Sequence, residues 1–162
     1  TGLPALLRDS QVLSIWEGTT NVLALETLRT FSREDAWDPV LELVRAAAGA
    51  ARAPELTTLG RVAADAAARA LAWARKTAGE SRPALESGAR SFAVTLGRAV
   101  SLALLVEHAE WSLSVNGDRR PVAAAARFAA RGIDVLAPSF APADTRALAL
   151  GDPAAETDVS IV

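Results

Sequence analysis

Between residues 38 and 136, apolar side chains return every three or four positions and never settle into two-residue alternation, a spacing that helices bury along one side. Val40, Leu41, Val44, Ala47, Ala48 and Ala51 make a first stripe, with Glu42, Arg45 and Arg52 outside it. Asp38-Pro39 is a start signal, because Asp caps and Pro suits the first helical position, and Pro54 is expected to end this helix. A second helix, expected over 55–77, buries Leu56, Leu59, Val62, Ala66, Ala70 and Trp73. Its opposite face carries Arg61, Asp65 and Arg69, spaced four apart with alternating sign, which supports an exposed surface by a few tenths of a kcal/mol per pair. So much alanine inside implies close helix–helix approach, with Trp73 filling one larger gap.

Gly79 to Pro83 interrupts the pattern, and Ser81 is placed to start the next helix. That helix is expected over 81–115, on the order of 45 Å at ~1.5 Å per residue, on a stripe of Leu85, Ala89, Phe92, Leu96, Val100 and Ala103. Residues 102–106 are apolar all round, which suits the middle of a bundle or a subunit contact. Asn116-Gly117 stops it, with Gly free to take the left-handed cap. A last long helix is expected over 120–136, with Val122, Ala126, Ala129 and Ile133 inward and Gly132 as an earlier stop. Beyond Pro138 the chain reads as a Pro-rich tail with room for a short helix over 143–150. The expected class is all-α, a helical bundle.

Composition then removes most chemistries. The 162 residues are 51% hydrophobic and 22% charged, as in a globular chain. A net charge of -2 supplies no dominant basic field for nucleic acid. With no cysteine and His108 as the single histidine, thiolate and His-based metal sites, a Cys nucleophile and a Ser-His-Asp triad are excluded within this chain; no metal is expected. Absent cysteine also fits a reducing, cytoplasmic setting. The strongly apolar run 100–106 falls short of the ~20 residues that span a bilayer, and no signal-like segment opens the chain, so no membrane role is expected. Lys76 is the one lysine among many arginines, a bias of GC-rich bacterial genomes. The chain opens on Thr1, and its first thirty residues read as the middle of something longer.

Residues 8–29 read RDSQVLSIWEGTTNVLALETLR. A carboxylate, Glu17, follows the apolar pair Ile15-Trp16, and then come flexible Gly18, two threonines and Asn21 before a helix with Val22, Leu25, Leu28 and Arg29 in its period. Thr20 or Asn21 is expected to cap it. A carboxylate desolvated beside an aromatic ring is a plausible general base, since burial raises its pKa toward the working range. Gly18 allows close backbone approach, and the helix start offers N–H groups to a phosphate or a polarised oxygen. On the residues alone, a solvated Glu17 at a helix start and a plain glycine turn are the readier explanation of the segment.

The segment resembles the C-terminal motif of the flavin-dependent acyl-CoA dehydrogenases: Arg8-Asp9, Ile15-Trp16-Glu17-Gly18-Thr19 and Asn21 match at the family's spacing. Trp16 in place of Tyr, and the run after Asn21, are most similar to the alkylation-response, DNA-protection-associated branch. The resemblance implies FAD as cofactor and an acyl-CoA thioester as substrate. It implies Glu17 as the base that removes the α-proton, Gly18 against the acyl group, and Thr19, Thr20 and Asn21 at the flavin. Trp16 would wall the acyl or flavin pocket. Ala24 stands where several members carry Arg, so that contact does not transfer. It further implies a homo-oligomer. The expected division is 1–35 as the end of the family's C-terminal helical domain, 36–137 as a helical extension and 138–162 as tail. The other half of the flavin site would lie outside these residues, so the isolated chain is expected neither to hold FAD nor to turn over.

Two further readings are carried alongside. One is a DNA-associated module, with Arg119, Arg120, Arg127 and Arg131 as a phosphate-neutralising stripe against the alternative of a solvated face. The other is a purely structural, subunit-joining module. His108, between Glu107 and Glu110, is expected to be a surface or interface histidine rather than a proton carrier, and Trp37, Trp73 and Trp111 core or rim residues.

Overall fold

The computed structural model describes residues 2–12, 19–34, 37–136 and 151. They form six helices: α1 Leu3–Val12, α2 Thr20–Glu34, α3 Trp37–Gly49, α4 Pro54–Glu80, α5 Arg82–Asn116 and α6 Arg120–Ala129, with no strand among the described residues. The class is all-α.

α5 is the axis of the bundle, and α2, α3, α4 and α6 all pack on it. Its ends are set locally. The Ser81 hydroxyl accepts from the Ala84 N–H at 3.3 Å, and Gly117, at φ +65°, turns the chain out as its N–H returns to the Leu113 carbonyl at 3.0 Å. α4 runs antiparallel to α5, since Trp73 late in α4 meets Phe92 early in α5, while Glu110 late in α5 reaches the start of α4.

Alanine makes this packing close. Ala63, Ala66, Ala67, Ala70 and Ala74 on α4 and Ala89, Ala99, Ala103 and Ala109 on α5 are buried. At two points only glycine fits. A Cβ on Gly60 would stand 2.8 Å from the Ala48 carbonyl oxygen of α3, and one on Gly88 would stand 2.3 Å from the Trp73 ring. Trp73 therefore does fill the larger gap that the alanines leave. It joins Phe31, Trp37 and Phe92 in an aromatic cluster with centroids 5.1 to 6.1 Å apart, tying α2, α3, α4 and α5 together.

Several expectations are corrected. α3 stops at Gly49, and Pro54 starts α4 rather than ending α3. Val62 is exposed, because the buried arc runs through Leu56, Gly60, Ala63 and Ala67, where small residues allow the approach. In α6 it is Ala125, not Ala126, that turns inward beside Val122. α6 ends at Ala129, short of 136, and Gly132 at φ +81° redirects the chain. Arg69 pairs with Asp134 at 2.8 Å rather than with Asp65. By length and composition α5 is apolar enough to cross a bilayer, with mean hydropathy 1.5 over its most apolar 18 residues, so the apolar stretch extends beyond 100–106. In the fold it is the core helix. The expected helix at 143–150 lies outside the described residues.

Candidate functional site

The motif enters the bundle at the N-terminus of α2. Trp16, Glu17 and Gly18 lie outside the described residues; Thr19, Thr20 and Asn21 lie within them, and all three are exposed. The Leu23 N–H donates to the Thr19 carbonyl at 3.0 Å, so Thr19 holds the cap position and Thr20 is already helical, one residue earlier than expected. No acidic side chain lies in the first turn of α2 itself.

α2 is held by one face. Ala24, Leu28 and Phe31 are buried and Leu25 is half-buried, whereas Val22 and Leu23 stand exposed. Ala24 points into the bundle, so the position where relatives of the motif carry Arg cannot reach a ligand here. Asn21 borders a hollow of about 260 Å³ with Leu25, Glu86, Ser87, Ala89 and Arg90. α1 carries Leu3, Leu6 and Leu7 at helical spacing and buries none of them; Arg8 and Asp9, on the same helix, are exposed.

The arginine stripe does not hold together as a free cationic surface. Arg119 donates to Glu55 at 2.5 Å, and Arg120 grips Asp118 through two nitrogens at 2.8 to 3.0 Å. Two of the four guanidinium groups are thus already matched to carboxylates, leaving exposed Arg127 and Arg131. The hydrogen bonds and charge of Arg120, with its backbone N–H, hold Asp118 below the usual carboxylate range. The DNA-associated reading is not favoured. Among the described residues no group of three ligating side chains could hold a metal ion.

Several polar contacts went unforeseen, because they join residues far apart in the chain. Ala53 at the start of α4 has no capping side chain. Glu110 of α5 takes that role, accepting from the Arg52 and Ala53 N–H groups at 2.7 and 3.0 Å, and these bonds lower its pKa. Glu55 is lowered by its own backbone N–H and by Arg119. Beyond α6, the Val135 N–H donates to the buried Thr95 hydroxyl at 3.0 Å, and Arg98 donates to the Gly132 carbonyl at 3.1 Å. Burial pushes Asp134 up, but hydrogen bonds from the Leu136 N–H, Arg69 and Thr95 outweigh it and hold the carboxyl low. Thr95 was the legible signal, a hydroxyl set between the inward Phe92 and Leu96.

The bundle from α3 onward has a recognisable identity. Residues 39–146 match the family described as acyl-CoA dehydrogenase 11 C-terminal domain-like, and the chain belongs to that family. The nematode Caenorhabditis elegans has a similar protein, "Acyl-CoA dehydrogenase family member 11", 38% identical over 122 residues, which are 72% of this chain and 20% of that relative. The chain thus spans about a fifth of the relative it matches. No solved structure matches it. The family match begins after the Trp16-Glu17-Gly18 motif.

Proposed function

We infer that the chain is the C-terminal portion of an FAD-dependent, cytoplasmic acyl-CoA dehydrogenase that forms an α,β double bond in an acyl-CoA thioester. What carries the reading is the junction: a Trp-Glu-Gly-Thr motif leads directly into the exposed N-terminus of α2, which is anchored by its other face to the bundle of this dehydrogenase family. The uncovered apolar residues of α1 and α2, Leu3, Leu6, Leu7, Val22 and Leu23, suit contact with the remainder of a larger enzyme.

The residues present fit one edge of a flavin site. Thr19, Thr20 and Asn21 offer exposed neutral hydrogen-bonding groups at the N-terminus of a helix whose own first turn carries no acid. FAD would supply the acceptor for the β-hydrogen and its electron pair. Glu17, in this reading, takes the α-proton onto its carboxylate, and the electrons of that C–H bond become the new Cα=Cβ bond as the β-hydrogen departs. Trp16, its neighbour in the chain, would keep water from the carboxylate and so raise its basicity. Gly18 lets the acyl group lie against the backbone. The run after Asn21 keeps the alkylation-response branch as the finer placement within the superfamily.

In the complete enzyme, Glu17→Gln should abolish dehydrogenation while FAD absorbance is retained. Turnover by that variant would refute Glu17 as the base. The 162 residues alone should purify without flavin absorbance, and a yellow product would show the site to be self-contained.

A further inference from the structure

The hollow beside Asn21 brings together two helices that are far apart in the chain. Asn21 and Leu25, one turn apart on α2, face Glu86, Ser87, Ala89 and Arg90 of α5 across about 260 Å³. A pocket that encloses a whole small molecule has roughly 300–1,000 Å³, so this hollow suits one group of a larger ligand lying across it. Leu25 is half-buried and Ala89 buried, whereas Asn21, Glu86, Ser87 and Arg90 are exposed. These four differ in what they have left to offer. The Ser87 hydroxyl donates to the Ala84 carbonyl at 2.8 Å, which uses its proton. Glu86 stands four residues before Arg90, the spacing of a helical ion pair, but it accepts from Arg82 at 2.9 Å instead. Asn21 and Arg90 keep their side-chain donors free of any hydrogen bond or ion pair among the described residues.

We propose that Arg90 is a ligand-binding residue of the dehydrogenase site, its guanidinium taking the diphosphate of an adenine nucleotide at the Asn21 hollow. The proposal rests on the dehydrogenase reading, which sets a flavin against Asn21. It adds a contact from α5, inside the family-matched stretch 39–146, that the motif itself does not contain. In that reading two molecules bring an adenine diphosphate to the enzyme, FAD and the CoA thioester. A guanidinium suits either, because its planar fork aims two parallel N–H donors at two phosphate oxygens and carries a permanent positive charge. The carboxylate that would cancel that charge within the hollow, Glu86, is engaged by Arg82. The Asn21 amide supplies a neutral donor across from the fork. The mounting is firm as well. Ala89 and Phe92, on either side of Arg90 in α5, are buried in the bundle, so the backbone beneath the guanidinium is fixed by packing. The bundle thereby contributes a binding group to the site as well as holding α2.

The complete enzyme tests it, as wild type, Arg90→Ala and Arg90→Lys. Each flavin-free form is titrated with FAD and with riboflavin, which lacks the diphosphate. The FAD-loaded forms are then assayed with an acyl-CoA and with the same acyl group on pantetheine, which also lacks it. If the diphosphate is that of FAD, Arg90→Ala weakens FAD about tenfold or more and leaves riboflavin binding unchanged, with partial recovery in Arg90→Lys. If it is that of CoA, FAD affinity is unchanged. The KM for acyl-CoA then rises by a similar factor, while kcat and the KM for the acyl-pantetheine do not move. In both cases the flavin-free melting midpoint should match wild type, because the Arg90 side chain is exposed. Unchanged FAD affinity together with unchanged KM values in Arg90→Ala would overturn the proposal and leave the dehydrogenase reading standing. So would equal losses for FAD and riboflavin, or for the two thioesters, since a structural role predicts those. A wild-type enzyme that takes up no FAD would overturn the reading itself, and the proposal with it.

Discussion

The two ends of this chain treat their leucines in opposite ways. In the α3–α6 bundle the large residues Leu56, Leu71, Phe92, Leu102 and Val106 are withdrawn from water, and alanines and glycines bring the backbones together around them. In α1 the three leucines at helical spacing bury nothing, and α2 covers only one of its faces. Amphipathic periodicity is equally plain in both. The contrast shows that periodicity specifies a helix and its apolar side, while burial depends on whether the chain itself provides a second surface to meet that side. The bundle carries both halves of its interface; the motif helices carry one.

The comparison is broken most sharply at Phe92, the meeting point of three other aromatic rings. Phe92→Ala should cost about 3–5 kcal/mol in denaturant unfolding, from lost transfer energy and an unfilled cavity. A cost below 1 kcal/mol would mean that the bundle is far more loosely packed than its geometry implies. Next comes Gly60→Ala. Its Cβ meets a backbone oxygen that cannot step aside, so a loss of about 1–3 kcal/mol is expected, against a gain of about 0.5–1 kcal/mol for Gly→Ala at an open helical site such as Gly97.

Acid should loosen the bundle through its long-range carboxylates. Glu110, Glu55, Asp118 and Asp134 all titrate lower in the fold than in the unfolded chain. Their stabilisation is therefore complete above the ordinary carboxylate range and is lost as pH falls through the lowered values. Thermal melts should show a falling midpoint below about pH 4, and Glu110→Gln should flatten part of that fall. Identical acid profiles for the two would remove Glu110 as the cap of α4.

Ser81→Ala, which deletes the α5 cap, is expected to cost about 1 kcal/mol by the same unfolding measurement. Smallest of all, Leu7→Ser on α1 should change stability by less than about 0.5 kcal/mol, because the side chain is 60% exposed. A larger loss would show that α1 is packed after all and would erase the difference between the two ends.

Much of the bundle was legible because its signals are local. Ser81 capping α5, Gly117 turning left-handed at its end, and the stripe Ala89-Phe92-Leu96-Ala103 all depend on neighbours within a turn or two, and each is found as read. What misled were residues whose side is decided by a neighbour from elsewhere. Val62 and Ala63 are equally apolar, but only alanine fits where α3 comes close, so the arc rotates and Val62 faces water. Residues 102–106 were expected inside a bundle or under a subunit contact; Leu102, Ala103 and Val106 are buried within the chain, and Leu104 is exposed. The arginine stripe lost two members to Glu55 and Asp118, the first of them on another helix. At the candidate site, the sequence motif named Glu17 and its companions, and the fold adds that Thr19 to Asn21 stand exposed at the α2 N-terminus while Ala24 faces inward.

By itself, then, the amino-acid order determined that this chain is helical, roughly where each helix starts and stops, and that a dehydrogenase-like motif precedes the bundle. Capping and periodicity act over four residues and need no partner to be read. Tertiary structure alone decided the cap of α4 by Glu110, the tie of Asp134 to Arg69 and Thr95, and which apolar residues remain in water. Those outcomes depend on helix rotation and on the distance between axes. Both are set by the volumes of all the side chains at a contact together, a property that no single segment of the sequence contains.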